Sequence, residues 1–218
     1  MLTVAPFFSQ RGTLVAESDE LESLVSQGRK HGVRKRVILL QAARLFVERG
    51  YASTGIDDIG AAVGISGPGV YRHFPGKQAI LLALIELSLE RLREGTQAAL
   101  ADRDREPERA LIALVDWFSR FSVENRNLTL VMQAELLWLP DQDRRRLNRQ
   151  TRQMREEWAG LLLEVRPELS DLAARIAVTS VMGMVTPVLA ARLSDDTQAL
   201  SAHLRAQMLA VLHAPAVL

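Results

Sequence analysis

The side chains with the clearest chemical bias are cations gathered in one short stretch. Residues 29–77 carry nine Lys or Arg and three acids, whereas residues 1–28 and 78–218 have net charges of −3 and −2. The total of 27 basic and 26 acidic residues therefore hides a local excess of +6. Cations at this density favour contact with phosphates, and a basic module on a mildly acidic body is typical of nucleic-acid-binding proteins. A solvated basic face without a partner would have the same composition.

The residues that most often carry out catalysis do not form a catalytic or metal-binding pattern in this sequence. The chain has no cysteine, which excludes disulfides, thiol nucleophiles and cysteine-ligated metals. Its four histidines lack metal-ligand spacing, and the run GISGP at residues 64–68 misses the final glycine of a GxSxG nucleophile turn. We therefore predict no enzyme activity, no metal site and no resident cofactor.

The elements that must position the basic residues are helices. Apolar residues recur at helical spacing from Val33 to Gly50, a short amphipathic segment follows Thr54, and Ser66 can cap a third helix ending near His73. A long helix is predicted from Lys77, and others over residues 107–123, 126–139, 141–165, 168–191 and 197–212. We predict an all-α protein of about nine helices. Its parts are an extension (1–32), a three-helix domain (33–77) and a larger helical domain (78–218).

The second and third predicted helices form a helix-turn-helix. Ile56, Ile59 and Val63 would be buried and fix the first of these helices, and Gly64 would permit the tight turn. The second of the two would project its N-terminus, with free N–H groups and partial positive charge, toward DNA.

Residues 38–81 resemble the DNA-binding domain of the TetR family of transcriptional regulators. The matching positions are Ala42, Ala43, Phe46, Gly50, Tyr51, Thr54, Ile56, Ile59, Gly64, Ile65, Ser66, Val70, Tyr71, Phe74 and Lys77. Two departures are Gly67-Pro68-Gly69, where many members have Lys-Gly-Thr or a similar triplet, and Arg72-His73, where a second aromatic residue often follows. The glycines leave few side chains to read bases, so discrimination would rest on Tyr71, Arg72, the surfaces of Pro68 and Val70, and DNA shape.

The resemblance implies that Thr54 and Tyr71 contact phosphates or base edges and that His73 and Lys77 contact phosphates. Thr54 could instead be a plain N-cap, and Tyr71 a core aromatic. The basic run around Arg34 is either an arm that follows DNA or an unattached tail. The predicted DNA-binding set is Arg34, Lys35, Arg36, Thr54, Ser66, Gly67, Pro68, Gly69, Tyr71, Arg72, His73 and Lys77.

The larger domain concentrates the bulky adaptable side chains that suit either a core or an apolar ligand pocket. The predicted pocket residues are Trp117, Phe121, Met132, Leu136, Trp138, Met154, Trp158 and Met182. The effector would be a small apolar or acyl-type molecule such as a fatty acid or an acyl-coenzyme A. Arginines at residues 144–155 are either a solvated face or a site for coenzyme A phosphates.

A helix-turn-helix binds DNA most usefully as a dimer, so the last helices are predicted to pair in a homodimer. The alternative is an ordinary monomer core. The predicted dimer residues are Ala177, Ser180, Val181, Met184, Val188, Leu204 and Met208. The uncharged run at residues 176–191 is short for a membrane span, and the first residues lack a secretory signal, so a cytoplasmic protein is predicted.

These features predict a ligand-responsive, DNA-binding transcriptional regulator. The favoured form is a repressor that its effector releases from a palindromic operator. Two alternatives are consistent with the same helices and residues: a transcriptional activator, and a DNA-binding protein of the same fold that has no effector. Operator sequence, regulated genes and effector identity do not follow from the sequence.

Overall fold

Helices account for all the regular structure in the computed structural model, which describes residues 30–215 except 102, 104, 105 and 135. The first four are α1 (Lys30–Arg49), α2 (Ile56–Ala62), α3 (Gly67–Tyr71) and α4 (Lys77–Ala99). Then come α5 (Pro107–Glu124), α6 (Arg126–Ala134), a 3-10 turn (Leu136–Trp138), α7 (Asp141–Val165), α8 (Asp171–Gly183), α9 (Val185–Ala190) and α10 (Thr197–Leu212). Only Met184 separates α8 from α9, so the all-α prediction of about nine helices is confirmed.

The N-terminal unit consists of α1, α2 and α3, with the start of α4 packed behind them. Its core contains the apolar residues of the predicted helical stripes, including Ile38, Phe46, Ile59, Val70 and Phe74. Phe46 also meets Tyr51 edge to face, with 5.1 Å between ring centroids. Burial of these residues holds two helices that are too short to be stable alone.

Three boundaries differ from the prediction. Helix α1 begins at Lys30, so Arg34, Lys35 and Arg36 lie on a helix and not on an extended arm. The predicted helix over residues 126–139 ends at Ala134 and continues as a 3-10 turn. The helix predicted from residue 168 begins at Asp171, because the Ser170 hydroxyl accepts a hydrogen bond from the Ala173 N–H at 3.2 Å. The rest of the predicted extension, residues 1–29, lies outside the described residues.

The larger domain buries its core between α4, α5, α7 and the C-terminal helices. Helix α10 packs along α5, and α8 packs on both α7 and α10. Trp158 of α7 is fully buried, meets Phe118 edge to face, and donates its indole N–H to the Thr96 hydroxyl at 3.3 Å. Glycine at position 95 is required because a Cβ there would lie 1.9 Å from the Trp117 ring.

The outer face of α8 and α9 is apolar and uncovered. Leu172 and Ile176 are 68% and 57% exposed, and Ser180, Gly183 and Pro187 continue the same stripe. By length and hydropathy alone, the segment Asp171–Ala190 could cross a membrane. In this structure 28% of its most apolar stretch is buried. Its inner face, which includes Val178 and Val181, nevertheless packs into the core.

Candidate nucleic-acid interface

The turn between α2 and α3 depends on two glycines. Gly64 has a φ of +68°, a left-handed conformation that other residues adopt at a cost. A Cβ on Gly60 would lie 2.8 Å from the Ile65 carbonyl oxygen and 3.2 Å from the Ser66 carbonyl carbon. Backbone therefore packs directly on backbone here, which fixes the position of α3 relative to α2.

The start of α2 is held by a carboxylate from its own first turn. Asp58 accepts a hydrogen bond from the Gly55 N–H at 2.7 Å and pairs with Arg49 at 3.3 Å. Gly55 is thus the N-cap residue, and the interpretation of Thr54 as an N-cap is wrong. Thr54 is 1% exposed and donates its hydroxyl to the Gly50 carbonyl at 2.9 Å, with the Leu45 carbonyl at 3.3 Å. The Thr54 side chain is thus buried and holds the loop that follows α1 through this hydrogen bond, so we remove Thr54 from the DNA-contacting set.

The two glycines of α3 face the protein and not the solvent. Both are buried: a Cβ on Gly67 would lie 2.0 Å from an Asp57 carboxylate oxygen, and one on Gly69 would lie 3.2 Å from the Ile65 Cβ. Their inclusion in the DNA-contacting set is corrected on this geometry. They allow α3 to lie close against α2, which leaves the outer side of α3 to other residues.

The outer side of α3 presents Ser66, Pro68, Tyr71 and Arg72, all exposed. Tyr71 is 55% exposed, which overturns the alternative that it is a core aromatic. His73 follows at a half-buried position. The phenol and guanidinium at the end of α3 are groups that donate to phosphates and to base edges.

Helix α1 adds cations beside this face. Lys35 and Arg36 are exposed, and the Lys35 ammonium lies 5.7 Å from the centre of the Phe74 ring, just beyond α3. Arg34 is half-buried and donates to the Val63 carbonyl at the end of α2 at 3.4 Å. The helix thus carries two exposed cations for an anionic partner and one arginine bonded to the helix-turn-helix.

Lys77 lies at the start of α4, but its ammonium is engaged within the protein. It donates to the carbonyls of Tyr51 at 2.7 Å and Ala52 at 3.3 Å, and lies 4.4 Å from the centre of the Tyr51 ring. The sequence predicted that the Lys77 ammonium contacts a phosphate. Because two backbone carbonyls already accept its hydrogen bonds, we assign Lys77 a structural role instead.

The same cluster joins the N-terminal unit to the larger domain, which the sequence did not predict. Trp138 lies against Tyr51 with 5.4 Å between ring centroids, and its carbonyl accepts from the Gln78 amide at 3.0 Å. Trp138 is 49% exposed. It therefore belongs to the junction and not to a ligand pocket, which corrects its predicted role.

An apolar cleft lies between α4, α5, α6 and α8–α9. It brings together the predicted residues Phe121, Met132 and Met182. Its accessible volume is about 10 Å³, roughly enough for one water molecule. Trp117 stacks on Phe121 with 5.1 Å between ring centroids, behind this wall.

Three other predicted pocket residues lie elsewhere. Trp158 is in the core, and Leu136 packs against the core from the 3-10 turn. Met154 lines a different feature, an open polar groove of about 600 Å³ between α4 and α7. In that groove Arg146 is paired with Glu86. On α7, Arg145, Arg149 and Arg152 are exposed at helical spacing.

The predicted dimer residues divide between the inside and the outside of the protomer. Val181, Leu204 and Met208 are buried where α8 and α10 pack within one chain, so they cannot form an interface with another copy. Ser180 is exposed, and the others, Ala177, Met184 and Val188, are half-buried. The exposed apolar residues that the prediction missed are Leu172 and Ile176, at the start of α8.

Known proteins resemble this chain most clearly over the helix-turn-helix. The model of bacterial regulatory proteins of the TetR family matches residues 38–84. The transcriptional activator FasR of Mycolicibacterium smegmatis is 27% identical over 107 residues, which cover 49% of this chain and 49% of FasR. The chain thus aligns with about half the length of this relative.

Solved structures share the fold over most of the chain. A TetR-family regulator from Bordetella parapertussis superposes with a TM-score of 0.71 at 25% identity, over 80% of this chain and 93% of that one. AibR, in complex with isovaleryl coenzyme A and operator DNA, superposes with a TM-score of 0.69 at 21% identity, over 84% and 99%. These matches agree with the prediction that the chain is not an enzyme. Over the helix-turn-helix the chain therefore resembles the TetR family of bacterial regulatory proteins, and its fold is that of TetR-family structures.

Proposed function

We propose that the protein is a dimeric, DNA-binding transcriptional regulator that responds to a small effector. The observation that carries this proposal is the exposed edge of α3, where Tyr71 and Arg72 face solvent in a unit that also exposes Lys35 and Arg36 and has an excess charge of +6. The inward-facing glycines let α3 pack closely on α2 while these side chains stay outside. Ser66 and Pro68 complete the surface that would enter the major groove.

Dimerisation would use the uncovered stripe on α8 and α9. Leu172 and Ile176 supply exposed apolar area, and Ser180 and Gly183 are small enough for a partner helix to approach closely. Exposed Ala202, Ala206 and Ala210 give α10 a similar small-residue face, and α10 packs beside α8. Two copies would then place their recognition helices about 34–36 Å apart on a palindromic operator.

Effector response would pass through α6. This helix lines the cleft with Thr129, Met132 and Gln133, and it also packs on α1 and α4. The 3-10 turn that follows it places Trp138 against Tyr51. Opening of the cleft would therefore move the helices on which the N-terminal unit packs. A tenfold change in DNA affinity requires a coupling free energy of only about 1.4 kcal/mol between the two sites.

Of the related proteins reported above, FasR has a name that states the direction of regulation. AibR has been crystallised with an acyl-coenzyme A and with operator DNA. FasR is named as an activator. We favour a cytoplasmic repressor that its effector releases, with an activator as the second candidate.

The first experiment is footprinting on the DNA upstream of the protein's own gene, followed by anisotropy titrations on the protected site. Tyr71→Ala and Arg72→Ala should each weaken binding by about 1–3 kcal/mol. Arg145→Ala, an exposed arginine on α7, is the matched control and should bind like wild type. Wild-type binding by both α3 variants at several salt concentrations would show that the assigned DNA face is wrong.

The dimer has its own test. Native mass spectrometry should give a dimer without DNA at micromolar concentration. Ile176→Glu should convert it to a folded monomer, because the change buries an unpaired charge only in the interface. A monomeric wild type would contradict the proposed assembly.

A further inference from the structure

Among the residues that the structure describes, the lining of the apolar cleft is uncharged. The described lining residues that bear on the argument are Ser88, Ser122, Thr129, Met132, Gln133 and Met182. Gln133 is exposed and Thr186 half-buried, whereas Ser88, Ser122 and Thr129 are buried. A ligand that entered the cleft would therefore meet apolar side chains and a few hydroxyl groups, and none of the described lining residues is a cation that could neutralise an anion.

The three buried hydroxyl groups are not equivalent. Ser88 donates its proton to the Leu84 carbonyl at 2.9 Å, and Thr129 donates to the Ser122 carbonyl at 3.4 Å. The Ser122 hydroxyl is completely buried and has no hydrogen-bond partner among the described residues. A buried hydroxyl without a partner is unfavourable and rare in folded proteins. Ser122 thus holds an uncommitted donor in the wall of the cleft.

We infer that this cleft binds an uncharged, largely apolar molecule whose ester or thioester carbonyl accepts a hydrogen bond from Ser122. This inference rests on the proposed effector response and names the chemical class of the effector. A carbonyl oxygen satisfies the Ser122 donor, and the apolar remainder fills the space between the aromatic and methionine side chains. A free carboxylate would be buried without a counter-ion, which is strongly unfavourable.

The closed cleft must widen to admit such a molecule. Met132 and Met182 are the flexible members of the lining, and their unbranched side chains can adopt other rotamers at little cost. Because Met132 belongs to α6, widening acts on the helix that leads to Trp138. The same movement that admits the carbonyl compound would therefore reach the N-terminal unit.

The test compares three probes of one chain length by calorimetry and thermal shift on the full chain. The probes are methyl octanoate, the octanoyl thioester of N-acetylcysteamine, and octanoate, which is ionised at neutral pH. The ester and the thioester should bind at least about tenfold more tightly than octanoate. The two neutral probes also distinguish a free ester from an acyl thioester as the source of the carbonyl.

Two serines of α5 give a matched pair of variants. Ser122→Ala should lower the affinity for the neutral probes by about threefold to tenfold, the loss of one hydrogen bond, without lowering stability. Ser119→Ala is the control, because Ser119 is buried on the same helix but donates to the Asp116 carbonyl and does not line the cleft. It should leave probe affinity unchanged.

Octanoate binding as tightly as the ester would overturn the inference, as would a Ser122→Ala variant with unchanged ester affinity or a wild type that binds neither neutral probe. Operator titrations then separate this inference from the proposed function. If the ester binds through Ser122 but leaves DNA affinity unchanged, the cleft assignment stands and the effector response fails. If operator binding is intact and neither neutral probe binds, the cleft assignment fails and the proposed DNA-binding function stands.

Discussion

The helix-turn-helix and the larger helical domain are packed in different ways. In the first, backbone meets backbone, because a Cβ on Gly60 would lie 2.8 Å from the Ile65 carbonyl oxygen. In the second, large side chains such as Trp158 and Phe118 fill the space between long helices. Backbone contact tolerates only a few residues at fixed positions, whereas side-chain packing accepts many combinations of similar volume. A short sequence pattern therefore predicts the structure of the helix-turn-helix, but no such pattern predicts the packing of the larger domain.

The largest expected effect is in the larger domain. Trp158→Ala should destabilise the protein by about 3–5 kcal/mol, because it opens a cavity in the core and removes the hydrogen bond to Thr96. Urea denaturation measures the change, and Trp158→Phe should cost clearly less. A loss below about 1 kcal/mol would show that the two regions do not differ in packing as described.

The contrasting change in the helix-turn-helix is Gly60→Ala. One added methyl group should cost about 1–3 kcal/mol and abolish operator binding, because the turn backbone must move. Gly32→Ala is the matched control: no described atom outside its own helix lies within 4 Å of the added Cβ, and alanine favours helix α1. Equal stability of the Gly60 and Gly32 variants by thermal denaturation would contradict backbone-on-backbone packing.

A smaller effect is expected at the junction between the two regions. Lys77→Met keeps the apolar stem over Tyr51 but removes the ammonium, so it should cost about 1–2 kcal/mol in urea denaturation without DNA. The salt dependence of operator binding should stay close to that of wild type. Unchanged stability together with a salt slope lowered by about one would restore the phosphate contact that the sequence suggested.

The smallest effect concerns an ion pair on the surface of the larger domain. Arg103 donates to Glu164 at 2.9 Å, and this hydrogen bond lowers the pKa of the Glu164 carboxyl. Arg103→Met should cost about 0.2–1 kcal/mol at neutral pH. A lowered pKa stabilises the fold above the unfolded-state pKa, and this contribution is lost as the pH falls through the folded-state value. Denaturation curves for the two proteins should therefore converge in acid, and a constant difference would exclude the ion pair as the cause.

The sequence predicted the helical fold because helix periodicity and capping residues are local signals. It also predicted that Tyr71 and Arg72 follow the turn, since Gly64 and Ser66 mark that turn directly. The direction in which Gly67 and Gly69 face was not predictable, because it depends on the contact between α2 and α3. Thr54 was misassigned for a related reason: its hydroxyl is directed to two backbone carbonyls, that of Leu45 within α1 and that of Gly50 just after α1.

In the larger domain the sequence identified the right residue types but could not sort them. Tryptophan and methionine occur in the core, in the cleft wall and at the junction, and only the tertiary packing separates Trp158 from Trp138. The dimer prediction shows the same limit. Leu204 and Met208 form an apolar stripe like that of an interface, but α5 and α8 cover it within the protomer.

The three tryptophans occupy three distinct environments, so their intrinsic fluorescence can report on three different regions of the protein. Trp158 is fully buried, Trp117 stacks behind the cleft wall, and Trp138 lies half-exposed against Tyr51 at the junction. Variants that retain one indole each would emit from the core, the cleft or the junction alone. Time-resolved emission could then establish whether cleft opening precedes movement at the junction, without any attached dye.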